Sequence, residues 1–302
     1  MLIMTAPGQG AQTPGFLAPW LELSGAEATL GHWSELAGVD LIKAGTTASA
    51  DEITDTATAQ PLLVATALLV AEQLAAPRAV AGHSVGELAA GAIAEVLSAE
   101  DAIRLTGTRG RAMAQATRES RTGMTAVLGG DEQAVRAAIA EHDLVPANIN
   151  VKGQIVVGGT IDQLAALAAS PPAGARLRPL RVAGAFHTPH MAPAVSALEA
   201  AAAGIAVRDP ALTLLSNRAG GVVTSGKDWL AGIVAQVAAP VRWDLCMATM
   251  AGLGVSALLE LPPAGTLAGL ARYGLPGVRG LALKTPDQLA DARELIAEAD
   301  AD

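Results

Sequence analysis

The chain has 302 residues, 51% hydrophobic but only 2% aromatic, with a formal net charge of −9. That length suits one large α/β domain or a core with a smaller insert, and the acidic balance excludes a nucleic-acid footprint. One cysteine, Cys246 in the apolar run Trp243-Asp-Leu-Cys-Met, excludes a disulfide framework or a cysteine-built metal site and reads as a small buried hydrophobe.

Leu2–Ala6 reads as a first strand entering the Gly/Pro-rich loop Pro7–Gly15. No Lys or Arg precedes Lys43 and no apolar core of a signal peptide is present, so a secretory signal is not expected. A helix is predicted over Ala59–Ala75. Its uncharged stretch from Pro61 to Ala71 is too short to span a bilayer and reads as buried, so a cytoplasmic protein without membrane attachment is expected. Ala79–Gly82 is a short strand and Val85–Val96 a helix directly behind it. Ser98 with Asp101 three residues on is an N-cap signature for a helix over Ala99–Arg118.

The rhythm changes near Gly123. Strands are predicted at Met124–Leu128, Val145–Asn150, Ile155–Gly158 and Leu177–Val182, with helices at Glu132–Glu141 and Asp162–Ala169. That β-α-β-β-α-β order is the ferredoxin-like unit. Residues 123–183 are therefore expected to form a small inserted subdomain. The parent domain, residues 1–122 and 184–302, resumes with a strand at Leu212–Ser216 and a helix at Trp229–Val237. A strand at Val255–Leu261, a helix after Pro263, a strand at Val278–Leu283 and a final helix complete it. The alternation predicts an α/β fold with a mainly parallel sheet.

Three features carry chemistry. Gly82-His-Ser84-Val-Gly86 matches G-x-S-x-G between a strand and a helix, where a strained turn lifts a serine hydroxyl above the sheet. Ser84 is the candidate nucleophile, and it needs an imidazole because its hydroxyl is scarcely ionised near neutral pH. Of five histidines, His32 and His142 lie in polar helical stretches and His83 diverges from its neighbour around the turn. His187 and His190 remain, in Ala185-Phe-His187-Thr-Pro-His190, and position alone barely separates them. On the helix from Ala99, Arg104, Arg111 and Arg118 recur every seven residues on a solvated face. Arg109 instead shares the apolar stripe of Ala102, Leu105, Ala112 and Met113. A buried guanidinium needs an anion. A structural Asp or Glu is the simpler partner on spacing alone, and a ligand carboxylate is the other.

These pieces stand in an ordered set: Pro7-Gly-Gln9-Gly-Ala-Gln12, Gln60-Pro61, Gly82-His-Ser84-Val-Gly-Glu87, Arg109-Gly-Arg-Ala-Met113, Asn148-Ile-Asn150 with Gly153-Gln154, Ala185-Phe-His187, and Gln236 before Pro240-Val-Arg-Trp243. The set resembles the malonyl-CoA:acyl carrier protein transacylases of fatty-acid synthesis and the related acyltransferase domains of polyketide synthases. The resemblance implies a hydrolase-like core with a ferredoxin-like insert, Ser84 as nucleophile and His187 as base. It implies Arg109 as the binder of the free malonyl carboxylate, and the backbone N–H groups of Gln9 and Val85 as an oxyanion hole. The main-chain carbonyl of Gln236 would orient the histidine in place of an acidic residue, and Phe186 marks malonyl selectivity. Two positions depart from the pattern: Ala239 stands where relatives often have Asn, and Pro262-Pro-Ala-Gly265 where a Gly-Pro-Gly turn is usual.

The expected reaction is ping-pong malonyl transfer through a malonyl-Ser84 ester, with malonyl-CoA and an acyl carrier protein as partners. No metal or cofactor and a monomeric chain are expected. A serine esterase or thioesterase with the same Ser–His pair, a transferase dedicated to polyketide carriers, and a non-catalytic carrier-docking module are the rivals. Carrier proteins are generally acidic, so a local basic patch is needed on this acidic chain. Arg176, Arg178 and Arg181 are the candidates, against the plain reading of a solvated strand face.

Overall fold

The computed structural model describes residues 1–301. Among the described residues, ten strands form two five-stranded sheets. In chain order they are β1 (Leu2–Ala6), β2 (Ala79–Gly82), β3 (Thr122–Gly129), β4 (Val145–Val151), β5 (Gln154–Thr160), β6 (Ala175–Pro179), β7 (Thr213–Leu215), β8 (Val241–Arg242), β9 (Ala257–Glu260) and β10 (Arg279–Ala282).

The first sheet has the order β10-β9-β1-β2-β7, and every pairing in it is parallel. Its central strands are apolar on both faces but for Thr5 and Glu260 near the carboxyl ends, rather than alternating, as a parallel sheet covered on both faces requires. All residues of β1, β2 and β9 are buried. The helix Thr56–Ala71 is apolar all round and buried from Ala59 to Val70. Sinking a leucine such as Leu62 or Leu63 there contributes about 1.5–3 kcal/mol.

The second sheet has the order β6-β3-β5-β4-β8. Its first four strands are antiparallel neighbours, with helices at Glu132–Glu141 and Ile161–Ala169 in the crossovers, which is ferredoxin-like order. The helix Ile161–Ala169 starts on a capping box between Thr160 and Gln163.

The observed elements differ from the sequence expectations in instructive places. β6 starts two residues earlier than the apolar run Leu177–Val182, because its ladder to β3 begins at Gly129↔Ala175 and ends at Pro179. One further bond, from the Leu180 N–H to the Met124 carbonyl (2.9 Å), lies past the end of the strand. The buried helix starts at Thr56, capped by the Asp55 carboxylate on the N–H groups of Ala57 and Thr58, and ends at Ala71 rather than Ala75. The helix behind β2 spans Gly86–Ile93, shorter than Val85–Val96, since Val85 is its N-cap. The helix predicted over Ala99–Arg118 closes at Ala116, and the Ser98 cap on Asp101 is present as read. β8 and the helix Trp243–Gly252 carry no periodic signal of their own. β8 exists because Val241 and Arg242 pair with Asn148 and Ile149 of β4, tying the second sheet to a distant segment.

Candidate active site

Loops following the carboxyl ends of β1, β2 and β9 open onto one cleft of about 410 Å³, and the second sheet walls its other side. Ligand crevices in parallel sheets lie at those strand ends. Gly8, Gln9, Ser84 and His187 line it from one side, and Asn148, Asn150 and Val156 from the other.

Ser84 sits on the turn between β2 and the helix Gly86–Ile93 with φ 55°, a left-handed conformation that a non-glycine residue holds only under constraint. The flanking glycines are sterically required. A Cβ on Gly82 would lie 2.0 Å from the Gly86 carbonyl carbon, and one on Gly86 would lie 2.3 Å from the Ala6 carbonyl oxygen. The turn is pinned by a residue that sequence reasoning missed. Asn217, fully buried, accepts the Ser84 N–H at Oδ1 (2.7 Å) and donates from Nδ2 to the Gly82 carbonyl oxygen (2.7 Å).

His187 is the histidine that reaches the serine. Its Nε2 lies 2.7 Å from Ser84 Oγ, and its Nδ1 lies 2.8 Å from the Gln236 carbonyl oxygen. A carbonyl can only accept, so Nδ1 carries the proton and Nε2 presents its lone pair to the serine hydroxyl. Burial, and then the Arg109 charge, push the His187 pKa down to about 3, so the ring is neutral at physiological pH. His190, the rival on sequence, is half-buried and lies outside this hydrogen-bonded cluster. Ala239 and Pro262-Pro263 do not displace the Gln236 carbonyl from His187.

Arg109 is 1% exposed, as its place on the apolar stripe predicts. Its Nη1 donates to Gln60 Oε1 (2.7 Å), and its Nη2 donates to Gln236 Oε1 (3.0 Å) and Ser84 Oγ (3.3 Å). Its Nε is buried without a partner among the described residues. The structural Asp or Glu that spacing alone favoured does not pair with it directly. Glu87 is one hydrogen bond further off, reached through the Gln236 amide. Burial lowers the Arg109 pKa to about 10, with Glu87 opposing, so the cation persists. A buried guanidinium whose contacts are neutral oxygens is disposed to take an anion.

The N–H groups of Gln9 and Val85 have no acceptor among the described residues. Both residues line the cleft, and Val85 is at the N-terminus of the helix behind Ser84, where the dipole favours negative charge. Phe186 is buried beside His187 and lines the same cleft. The arrangement suits acyl transfer: an activated hydroxyl, a neutral base, free N–H donors and a cation near the hydroxyl.

An acyl transferase domain model matches residues 7–276. A malonyl CoA-acyl carrier protein transacylase of Mycobacterium bovis is 52% identical over 302 residues, covering 98% of this chain and 100% of the relative. The chain belongs to this acyl transferase family. The corresponding Escherichia coli transacylase is 35% identical over 306 residues, covering 96% of this chain and 97% of its own. Among solved structures, the MCAT of Mycobacterium tuberculosis superposes with a TM-score of 0.94 at 52% identity, over 96% of this chain and 98% of that one. A malonyl-transacylase solved in complex with its type II PKS acyl-carrier protein superposes with a TM-score of 0.89 at 29% identity, over 97% and 99%.

For an acyltransferase, the site holds more buried polar groups than the motifs reveal. Glu87 is 2% exposed, and its Oε2 accepts from Gln236 Nε2 (3.0 Å) while its Oε1 accepts from the Asn217 N–H. Burial pushes its pKa up to about 8 against the pull of the Asn217 N–H, the Ser216 hydroxyl and the Arg109 charge. His83 points to Asn150 Oδ1 at 3.0 Å across the cleft and packs its ring against Trp243. In sequence, Glu87 and Asn217 look like ordinary helix and loop polar residues. Their only advance signal is the position of Glu87 directly after the elbow glycine.

Proposed function

We propose that this acyltransferase moves the malonyl group from malonyl-CoA to the phosphopantetheine thiol of an acyl carrier protein through an ester on Ser84. His187 Nε2 takes the Ser84 proton as Oγ attacks the thioester carbonyl carbon. The negative oxygen of the tetrahedral intermediate is held by the N–H groups of Gln9 and Val85, each worth about 3–4 kcal/mol in such a role. The C–S bond breaks, and the proton on His187 passes to the departing thiolate of coenzyme A. The carrier's thiol then gives its proton to His187 and attacks the ester carbonyl; the C–O bond breaks and His187 returns the proton to Ser84 Oγ.

The observation that carries this reading is the meeting of three side chains from distant segments: Ser84 Oγ lies 2.7 Å from His187 Nε2 and 3.3 Å from Arg109 Nη2. A cation that close to the nucleophile fits an acyl group whose free carboxylate is one methylene beyond the thioester. A neutral acyl group leaves that charge uncompensated, and an esterase has no use for it. Phe186 narrows the cleft beside His187 and is the residue we assign to excluding branched extender units. No metal or cofactor enters these steps, and a cytoplasmic monomer is the setting we propose.

Intact-protein mass spectrometry after exposure to malonyl-CoA, with Ser84→Ala as control, tests the proposal. One malonyl adduct on the parent, absent from the variant and discharged by a carrier thiol, is expected. Rapid hydrolysis without carrier would favour the esterase, and no adduct would favour a docking module.

A further inference from the structure

The mechanism above gives no task to Glu87, although it is a fully buried carboxyl one residue beyond the elbow. Around it runs a chain of hydrogen bonds with a fixed sense. Arg109 can only donate, so the Gln236 side-chain atom facing Nη2 at 3.0 Å is the amide oxygen. The other end of that amide, Nε2, must then find an acceptor, and Glu87 Oε2 supplies it at 3.0 Å. The second carboxyl oxygen of Glu87 is occupied by the Asn217 N–H. Asn217 in turn grips the backbone on both sides of Ser84. Gln236 therefore serves the site twice: its carbonyl holds His187 Nδ1, and its amide oxygen holds Arg109.

We propose that Glu87 is a positioning residue for substrate selection: its carboxyl sets the sense of the Gln236 amide, and that amide aims the Arg109 guanidinium at the acyl group. The inference rests on the reading of Arg109 as the carboxylate clamp. It also accounts for the distance between the buried acid and the buried base. A carboxylate in direct contact would saturate the guanidinium and compete with the substrate's own carboxylate. Through an intervening amide, the acid fixes the orientation of Arg109 without occupying the face the ligand needs.

Glu87→Gln provides the test, because its shape is nearly unchanged and only the donor–acceptor pattern alters. An amide side chain at this position cannot accept from both the Asn217 N–H and Gln236 Nε2. One contact becomes donor against donor unless Gln236 turns over, and a turned Gln236 presents N–H groups to Arg109. Single-turnover acylation of Ser84 by malonyl-CoA and by acetyl-CoA, measured without carrier, should show the malonyl-to-acetyl ratio falling about tenfold or more. That is the size expected for one lost hydrogen bond to a charged group. Acetyl transfer should change far less, since the Ser84–His187 pair persists.

A double variant, Glu87→Gln combined with Gln236→Glu, restores the donor–acceptor sense from the Asn217 N–H to Arg109, at the loss of the longer bond from Gln236 Nε2 to Asn217 Oδ1 (3.4 Å). The amide now on the elbow helix accepts from the Asn217 N–H and donates to the carboxylate that replaces the Gln236 amide, and that carboxylate accepts from Arg109. The double variant should melt above the single variant yet stay low in malonyl preference, because its carboxylate lies directly against Arg109 and competes with the substrate's own. A ratio within about twofold of the parent in Glu87→Gln would overturn the assignment, that change being too small for a lost charged hydrogen bond. So would a double variant that melts no higher than Glu87→Gln, or one that regains the parent's malonyl preference with a carboxylate against Arg109. Arg109→Ala, run alongside, separates the premises: an unchanged ratio there defeats the clamp itself, whereas a lowered ratio there with an unchanged one in Glu87→Gln defeats only the role of Glu87.

Discussion

Ser84 and His187 both have left-handed backbone, with φ of 55° and 60°, although neither is glycine. Each such conformation costs about 1–3 kcal/mol and persists only when its surroundings over-determine it. For Ser84 those surroundings are the two Asn217 bonds; for His187 they are its N–H to the Val237 carbonyl and its Nδ1 to Gln236. Burial of the imidazole has a consequence in pH. The unfolded chain takes up a proton near 6.5 that the folded protein refuses until about 3. A depressed folded value means that stability from this group is complete above 6.5 and is lost as the pH falls below it. The melting-temperature difference between the parent and His187→Asn should therefore be flat above pH 6.5 and shift against the parent toward pH 3. The acid limb of kcat/KM should lie well below 6.5. An acid limb at an ordinary histidine value would contradict the buried, neutral base.

At the scale of elements, the burial of Arg109 follows from its glycine neighbours. The helix Ala99–Ala116 carries Gly107 and Gly110 on either side of it. A Cβ at Gly107 would lie 2.5 Å from the Ala37 carbonyl oxygen, and one at Gly110 would lie 2.8 Å from the Thr56 carbonyl oxygen. These glycines let two other helices approach until their backbones touch, which carries Arg109 inward against Gln60 on the helix Thr56–Ala71. Gly110→Ala adds helix propensity but forces backbone apart, and overpacking of that kind costs about 1–3 kcal/mol. Chemical denaturation should show a loss of stability, with a reduced malonyl preference as the guanidinium moves. A gain in stability with unchanged selectivity would show that the helices yield freely. The apolar stripe was legible in the sequence and placed Arg109 correctly. The identity of its partners was not, because Gln60 and Gln236 belong to helices whose approach no local pattern encodes.

Across the whole molecule, the cleft exists only because the two sheets face each other, and the exposed edge of the second sheet is β6. Arg176 and Arg178 project from that edge and Arg181 follows it, all three exposed and without ion pairs among the described residues; Arg181 alone lines the cleft. On a chain of net charge −9, such a patch is where an acidic carrier would gain electrostatic steering. Reversing Arg176 and Arg178 to Glu should raise KM for the carrier, leave KM for malonyl-CoA unchanged, and lose its effect at high salt, since charges screen over about 8 Å at physiological ionic strength. Equal effects on both substrates would place the patch elsewhere.

The strands and capped helices were readable because their signals are local: continuous apolar runs for a covered parallel sheet, Ser98 before Asp101, glycines around Ser84. The ordered motifs, through the resemblance they carry, proposed Ser84 as nucleophile, Arg109 as clamp and His187 over His190, and the fold brings these three side chains together. What the sequence could not contain is the convergence. β8 has no pattern of its own and forms because β4 offers it an edge; Asn217 and Glu87 look ordinary until the fold brings them beneath the elbow. Local propensity acts over a few neighbouring residues, whereas a buried polar network is satisfied by groups more than a hundred positions apart, and only the packed chain decides which of them meet.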